Sequence, residues 1–261
     1  MARTSVRQRL AAGERCYGTM IFELFTPGLT AILDQIGFDF VVLDMEHSGV
    51  GIETIKTQIA CARGLGIEAY VRVPDGQYST IAPVMDAGAQ GIMVPMVETG
   101  EQALAIANAV RYRPDGRRGL AFGIAHDGYG AMPPAESMEQ ANAENVVICL
   151  IETRRGVENV EAIVNTPGVD IGWVGHYDLT NDMGITAQFD HPEFFAAVDT
   201  VGAACAAAGK AAGILDANPA MLERFTRSGF RALGFATDVA ALRIAYGDGL
   251  KMLRGLPGRW N

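Results

Sequence analysis

The sequence predicts a (β/α)8 TIM barrel formed as a single domain over residues 1–261. Eight short apolar runs alternate with helix-like stretches, which is the pattern of successive parallel βαβ units. The length of 261 residues also suits such a barrel, which takes about 250 residues. The predicted strands are Tyr17–Phe22, Phe38–Asp44, Glu68–Val73, Gly91–Val97, Val146–Ile151, Ile171–Gly175, Ala211–Leu215 and Arg231–Phe235.

Apolar residues at helical spacing fill most of the gaps between these strands. The predicted helices are Ile52–Gly64, Ser79–Ala87, Glu101–Tyr112, Gly156–Val164, Pro192–Ala208, Pro219–Ser228 and a final amphipathic helix over Val239–Leu253. Glycines are expected to close helices in the left-handed conformation at Gly37, Gly66, Gly88, Gly209 and Gly229. A doubly wound open sheet competes with the barrel, but it would usually carry a glycine-rich turn after its first strand. The segment Thr26–Gly28 is not such a turn.

One connection has no regular pattern. The segment Arg113–Asn145 is rich in glycine and proline and separates the helix after the fourth strand from the fifth strand. Long connections of this kind in a compact domain are usually functional loops. We therefore expect this segment to be irregular and to lie close to a site.

The composition excludes several classes of protein. The net charge of −9 argues against a surface for nucleic acid or anionic membrane, because both need clustered Lys and Arg. No apolar stretch reaches the roughly 20 residues of a membrane span. The first 15 residues lack the apolar core of a signal peptide. Four cysteines without a C-x-x-C spacing are typical of reduced thiols, so we expect a cytoplasmic protein.

Two carboxylates end two successive predicted strands. Glu152 follows Val146–Ile151, and Asp178 follows the next strand 26 residues later, about the length of one strand–helix–strand unit. Neighbouring parallel strands place such residues at the same edge, where carboxylate oxygens suit a hard divalent metal. Each could alone be a helix N-cap or first-turn acid, but the matched spacing favours the metal site.

Other candidate residues follow the same rim. His47 ends the second strand segment beside two acids, a position that suits proton transfer as well as it suits a hydrogen-bonded structural histidine. Arg72 follows the third strand and precedes a proline, so we expect it to point into the barrel mouth and to hold a carboxylate or an enolate. His176 could be a third ligand or could shape its loop. None of the three lysines follows a strand end at this rim, so a Schiff base is not expected. If the barrel makes or breaks carbon–carbon bonds next to a carbonyl, a metal must withdraw the electrons instead.

The strand-end motifs resemble those of the HpcH/HpaI class II aldolase family, the metal-dependent pyruvate aldolases. The resemblance extends from about residue 18 to residue 253 and rests on Phe38–His47, Val71–Pro74, Val94–Val97, Ile151–Arg154 and Gly175–Gly184. It implies a (β/α)8 barrel, often a hexamer built as a trimer of dimers with the last helix exchanged between subunits. It also implies reversible aldol addition and cleavage of 4-hydroxy-2-oxo acids, with pyruvate or hydroxypyruvate as nucleophile and an aldehyde as acceptor.

The resemblance implies a role for each matching residue. Glu152 and Asp178 would bind Mg²⁺, Mn²⁺ or Co²⁺, and the backbone near Tyr177 and Asp178 would hold the substrate carboxylate. His47 would be the base, acting through a water held by the metal. Asp86 would raise the basicity of His47, and Arg72 would stabilise the enolate.

The sequence departs from the family pattern at the substrate end. Leu150 stands where members often carry glutamine, and His176 and Tyr177 stand where Pro-Ala is usual. These changes leave the metal site intact and concern the nucleophile, so hydroxypyruvate becomes a candidate beside pyruvate. Arg117 and Arg118 are candidates for holding the aldehyde or its distal carboxylate.

Three alternatives stay open. An acyl-CoA lyase of the citrate lyase β-subunit type would need a basic surface for the CoA phosphates, and the chain carries three lysines. An oxaloacetate decarboxylase would use the same enolate. A non-catalytic barrel would be favoured by loss of the candidate site residues, all of which are present.

Overall fold

The fold is a closed barrel of eight parallel strands. The computed structural model describes residues 4–130 and 132–257. The strands are β1 (Cys16–Ile21), β2 (Phe40–Asp44), β3 (Glu68–Arg72), β4 (Gly91–Val94), β5 (Val146–Ile151), β6 (Ile171–Val174), β7 (Ala211–Asp216) and β8 (Phe230–Thr237). Each strand pairs with its neighbour in sequence, and β8 pairs with β1 to close the barrel. The predicted (β/α)8 fold and all eight predicted strands are confirmed.

Twelve α-helices surround or cap the barrel in the described part of the chain. They are α1 (Val6–Ala11), α2 (Leu29–Ile36), α3 (Ile52–Ala62), α4 (Tyr78–Asp86), α5 (Gly100–Val110), α6 (Pro134–Glu144), α7 (Arg154–Glu158), α8 (Val160–Val164), α9 (His176–Asp182), α10 (Pro192–Ala207), α11 (Pro219–Arg227) and α12 (Asp238–Arg254). The predicted helix over Gly156–Val164 is divided between α7 and α8 at Asn159, which has a non-helical φ of −100° and ψ of 8°.

Four helices were not predicted, namely α1, α2, α6 and α9. The prediction that Arg113–Asn145 is irregular throughout was wrong, because its last third forms α6. A proline in the first turn of α6 suits a helix start but reads in sequence as part of a proline-rich loop. Four of the five predicted glycines are left-handed, whereas Gly64 and not Gly66 takes that conformation after α3.

Three glycines in the strands make room for three large rings inside the barrel. A Cβ on Gly91 would lie 2.6 Å from Tyr70 Cδ1, and one on Gly213 would lie 2.9 Å from Trp173 Cδ2. Gly18 faces the Phe40 ring in the same way. Phe40 stacks on Tyr70 at 5.4 Å and meets Trp173 edge-on at 6.3 Å. The rings therefore fill the interior because the glycine on each neighbouring strand has no side chain to occupy that space.

Helix α1 covers the N-terminal end of the barrel. Its buried Val6 and Leu10 belong to the same apolar cluster as the interior rings. Arg7 Nε donates to Asp170 Oδ1 at 2.7 Å, and Arg111 Nη2 donates to Asp170 Oδ2 at 2.7 Å. The bond from Arg7 holds α1 beside the start of β6, and the bond from Arg111 holds the end of α5 there. The N-terminal end is thus filled, and the open end is the one at which the strands terminate.

Two further sequence predictions concern the chain as a whole. In the described ranges, no helix combines the length and the apolar character needed to cross a membrane. The four cysteines are all free, as the absence of paired spacings predicts.

Replacing Gly213 by Ala should lower the free energy of unfolding by about 1–3 kcal/mol, because overpacking a filled core forces rings off their preferred positions. The added methyl meets Trp173, which is itself held by Phe40. Urea unfolding followed by circular dichroism measures the change. Gly247→Ala is the matched control, since no atom lies within 4 Å of its Cβ position and alanine favours a helix. Equal stability of the two variants would contradict the packing argument.

Candidate active site

A cavity of about 750 Å³ opens at the carboxyl ends of the strands. Every strand, or the residues directly after it, contributes to its wall, as is usual for the catalytic face of this fold. The polar and charged side chains of the wall are His47, Arg72, Glu152, His176, Tyr177, Asp178, Asp190, Asp216, Asn218 and Thr237. Five of the six predicted site residues are therefore brought together.

Asp44 organises the loop after β2. Its side chain is fully buried, and its two oxygens accept the backbone N–H groups of Glu46 at 3.1 Å and His47 at 2.8 Å. Asp44 Oδ1 also accepts Arg72 Nε at 2.6 Å. One buried carboxylate thus fixes both the backbone that carries the predicted base and the predicted arginine.

Arg72 ends β3, and one buried nitrogen of its guanidinium group, Nη2, has no hydrogen-bond partner. Its Nε lies 2.6 Å from Asp44 Oδ1 and 3.2 Å from Glu46 Oε2. Its guanidinium lies over the Phe22 ring at 5.2 Å. The side chain is 9% exposed, and its buried Nη2 has no hydrogen-bond partner. A buried donor without a partner is costly, so this nitrogen is suited to an oxygen of a bound substrate.

His47 lies at the cavity rim with its side chain 55% exposed. Its ring stacks on Phe22 at 6.5 Å with an interplanar angle of 14°. Its Nε2 lies 3.7 Å from Glu46 Oε2. Burial raises the pKa of Glu46, and Arg72 opposes that rise. An imidazole that is open to solvent and adjacent to a carboxylate can exchange protons with a ligand in the cavity.

Asp238 fixes the loop that carries Phe22. Its buried carboxylate accepts the backbone N–H groups of Phe22 at 3.0 Å, Glu23 at 3.0 Å and Leu24 at 2.7 Å. Phe22 in turn supports both His47 and Arg72. The first residue of the last helix therefore holds the ring on which two candidate catalytic side chains rest.

The pair Glu152 and Asp178 lies at neighbouring strand ends, as the spacing predicts. Strands β5 and β6 are paired with Ile151 opposite Val174, so both carboxylates follow adjacent strand ends. Glu152 is 4% exposed, and its Oε1 accepts the backbone N–H of Met96 at 2.7 Å. Met96 has a φ of 55°, a conformation that costs free energy for a residue with a side chain and is found at functional sites.

Gly175 makes room for the Glu152 side chain. A Cβ at position 175 would lie 2.8 Å from the Glu152 Cβ and would also overlap its carboxylate. Burial is the largest cause that raises the pKa of Glu152 to about 7, the Met96 hydrogen bond opposes it, and the charge of Asp178 adds to it. A cation bound between Glu152 and Asp178 would reduce the repulsion between the two carboxylates. It would also offset the loss of hydration of the buried Glu152.

In the described chain Asp86 does not line the cavity that contains His47, and its role in raising the basicity of His47 stays a prediction. Helix α4 runs back from the end of β3, and Asp86 in its last turn lies at the N-terminal end of the barrel. There it accepts Arg118 Nη2 at 2.6 Å. Arg118 is also absent from the cavity wall of the described chain, so its contact with the aldehyde stays a prediction.

His176 and Tyr177 form an aromatic wall with Phe189. The His176 ring lies 4.8 Å from Tyr177 and 5.0 Å from Phe189, and Tyr177 meets Phe189 edge-on at 4.9 Å. Burial lowers the pKa of His176, and the charge of Asp216 opposes that change. Leu150 lines the floor of the cavity. The positions at which the sequence departs from the family pattern therefore all face the cavity.

Sequence reasoning assigned no role to three acids of the site, Asp44, Glu46 and Asp238. The signal for the first two was available, since both belong to the charged segment after the second predicted strand. Asp238 gave less signal, because an acid in the first turn of a helix is common for electrostatic reasons alone.

The profile of the HpcH/HpaI aldolase/citrate lyase family matches residues 19–245. The chain belongs to this family. The resemblance predicted from the strand-end motifs is confirmed, and with it the prediction of a carbon–carbon lyase.

Named relatives cover nearly the whole chain. A hydroxypyruvate/pyruvate aldolase of Chromohalobacter salexigens is 36% identical over 233 residues, covering 88% of this chain and 91% of its own length. A protein of the same name from Roseobacter denitrificans is 33% identical, covering 90% of this chain and 91% of its own length. The solved HpcH/HpaI aldolase of Desulfitobacterium hafniense superposes with a TM-score of 0.92, is 29% identical, and covers 98% of this chain and 99% of its own.

Proposed function

We propose that this protein is a class II aldolase that cleaves and forms 4-hydroxy-2-oxo acids, with pyruvate or hydroxypyruvate as the nucleophile and an aldehyde as the acceptor. The observation that carries the proposal is the cavity in which a buried glutamate, a second acid, an arginine with a free donor and a histidine converge. The names of the relatives, both hydroxypyruvate/pyruvate aldolases, support the choice of donor.

The residues present fit a divalent metal. In the described ranges no group of three or more His, Cys, Asp and Glu side chains is arranged to hold one. Glu152 and Asp178 follow paired strand ends and both line the cavity, so these two carboxylates are the candidate ligands. Mg²⁺ in enzymes is commonly bound by one or two carboxylates with substrate oxygens and water completing its shell. Mg²⁺, Mn²⁺ or Co²⁺ held there would supply a Lewis acid for the 2-oxo acid.

The chain's own residues handle the proton and the developing charge. In cleavage, His47 takes the proton of the C4 hydroxyl, the C3–C4 bond breaks, and the aldehyde leaves. The electron pair of that bond passes into the enolate of the 2-oxo acid, which is then protonated at C3. Arg72 Nη2 donates to the oxygen that gains negative charge, and this interaction is stronger in the transition state than with the substrate. The backbone near Tyr177 and Asp178 holds the substrate carboxylate.

The alternatives are less well supported. Arg72 is the only Arg or Lys among the described residues that line the cavity, so an acyl-CoA would find little to pair with its phosphates. Oxaloacetate decarboxylation would use the same carboxylates and arginine, and we treat it as a side activity. A non-catalytic barrel does not account for the unpartnered Nη2 of Arg72 beside two crowded acids.

The proposal also covers the oligomeric state of the protein and its location in the cell. The described part of α12 exposes apolar side chains, among them Ile244, Leu250, Met252 and Leu253. Exchange of this helix between subunits in a cytoplasmic homo-hexamer, a trimer of dimers, would cover them. Sedimentation velocity tests the hexamer, and a monomer at micromolar concentration would oppose it.

Removal of metal is the direct test of the proposed function. EDTA should abolish pyruvate formation from a racemic 4-hydroxy-2-oxo acid, and Mn²⁺ or Mg²⁺ should restore it, because two carboxylates and one arginine cannot replace a Lewis acid. Pyruvate release is followed through a coupled dehydrogenase, with the coupling enzyme assayed alone in EDTA as the control. Activity that is unchanged in EDTA would refute the roles of Glu152 and Asp178.

A further inference from the structure

The cavity extends well beyond the atoms of a three-carbon donor. Its volume of about 750 Å³ falls in the range of sites that take ligands the size of a drug molecule. The reacting end is marked by Arg72, Glu152 and Asp178. The remaining wall comes from the first turn of α9, the loop after α9, the end of β7 and the start of α12. It includes His176, Tyr177, Phe189, Asp190, Asp216 and Asn218.

We infer that this wall, which we call the acceptor wall (His176, Tyr177, Phe189, Asp190, Asp216 and Asn218), selects aldehydes that carry hydroxyl groups and no negative charge. The inference rests on the proposed aldolase function and specifies its acceptor class.

The charges of the acceptor wall exclude an anionic acceptor. Asp190 and Asp216 both line the cavity, in addition to Glu152 and Asp178 at the reacting end. Arg72 is engaged by Asp44 and Glu46 and has its free Nη2 at the reacting end. No Arg or Lys belongs to the acceptor wall in the described chain, so a distal carboxylate would meet like charge without a partner.

The polar groups of the acceptor wall suit hydroxyls. Asp216 Oδ1 accepts the backbone N–H of Asn218 at 2.7 Å, which fixes the carboxylate at the end of β7. A carboxylate has about four acceptor positions, so Asp216 can accept further hydrogen bonds from hydroxyl donors. The amide of Asn218 both donates and accepts. These groups bind a hydroxylated chain but cannot pair with a carboxylate as a cation does.

The aromatic part of the acceptor wall supplies the complementary apolar surface. The rings of His176, Tyr177 and Phe189 pack against one another, with ring centroids 4.8–5.0 Å apart. Rings packed in this way are rigid and present apolar faces beside polar edges. The carbon chain of a small polyol, which has C–H groups on one side and hydroxyls on the other, matches a wall of this composition.

The test compares three four-carbon aldehydes in aldol addition to hydroxypyruvate with metal supplied. Erythrose is neutral and hydroxylated, butanal has neither feature, and succinic semialdehyde carries a carboxylate. We expect kcat/KM to fall in that order, with erythrose at least about tenfold above succinic semialdehyde, because like-charge contacts discriminate strongly between partners. Equal or higher turnover of succinic semialdehyde would overturn the inference.

A charge-neutral variant locates the effect. Asp216→Asn keeps the side-chain shape and should raise the kcat/KM ratio of succinic semialdehyde to erythrose by about five- to tenfold, since it removes one like charge from the acceptor wall. Glu139→Gln on the exposed face of α6 removes the same charge away from the cavity and should leave the ratio unchanged. A ratio that Asp216→Asn does not alter, or that Glu139→Gln alters equally, would refute the role of the acceptor wall.

The donor half-reaction separates this inference from the proposed function. Exchange of the pyruvate methyl protons with deuterium, followed by proton NMR, requires no acceptor. Exchange together with equal use of all three aldehydes would refute only the acceptor wall. Absence of exchange with Mg²⁺ or Mn²⁺ present would refute the proposed function itself.

Discussion

Arg72→Lys should reduce kcat for pyruvate release by about 100- to 1,000-fold, the usual cost of losing one donor to a developing oxyanion. Arg72 Nε donates to Asp44 Oδ1 and lies 3.2 Å from Glu46 Oε2, which leaves Nη2 for the substrate. A lysine ammonium keeps the positive charge. It lacks the planar guanidinium group, which can face the oxygens of Asp44, Glu46 and the substrate at the same time. Steady-state kinetics with a 4-hydroxy-2-oxo acid measures the loss, and circular dichroism establishes that the variant is folded.

Arg227→Lys is the matched control for this variant. Arg227 is 62% exposed and pairs with Glu223 on the surface of α11, so its replacement should leave kcat unchanged. If Arg72→Lys retained kcat within about threefold of the wild type, the oxyanion role of Arg72 would be wrong.

Gly175→Ala should weaken metal binding by about 10- to 100-fold, the usual effect of a mutation beside a metal ligand that shifts the ligand from its position. The added Cβ occupies the space of the Glu152 carboxylate, which cannot withdraw because Met96 holds it from the other side. Isothermal titration of the EDTA-treated protein with Mn²⁺ measures the affinity. Activity should then require a higher Mn²⁺ concentration.

Gly28→Ala provides the control for Gly175→Ala. Position 28 lies before α2 with a φ of −81° and no atom within 4 Å of the added Cβ. This variant should bind Mn²⁺ as the wild type does. Wild-type affinity in Gly175→Ala as well would show that Glu152 is not a ligand.

The sequence predicted the strands and the location of the site for a simple physical reason. Buried parallel strands are short runs of Val, Ile and Leu, and parallel topology places everything after them at one end. Glu152, Asp178, His47 and Arg72 could therefore be assigned to one rim without coordinates. The resemblance to the family added the reaction class, which strand positions do not contain.

Local patterns could not predict the interactions that cross the fold. The sequence shows that Asp44 ends a strand, but it does not show what the Asp44 carboxylate contacts. In the structure its oxygens accept the backbone N–H groups of Glu46 and His47. The role of Asp86 came from the family resemblance, and no local pattern shows that the helix returning from β3 carries its last turn to the opposite end of the barrel. The short helices α1 and α9 have too few residues to show a helical period.

The bond between Asp238 and the first loop also sets an order of events during synthesis. Leu24 and Asp238 are separated by 214 residues, yet the loop after β1 has no other carboxylate to receive its three amides in the described chain. Chains emerge from the ribosome N-terminus first at about 5–20 residues per second, so this loop waits more than ten seconds for its partner. We therefore expect the pocket to become complete only after nearly the whole polypeptide has been translated.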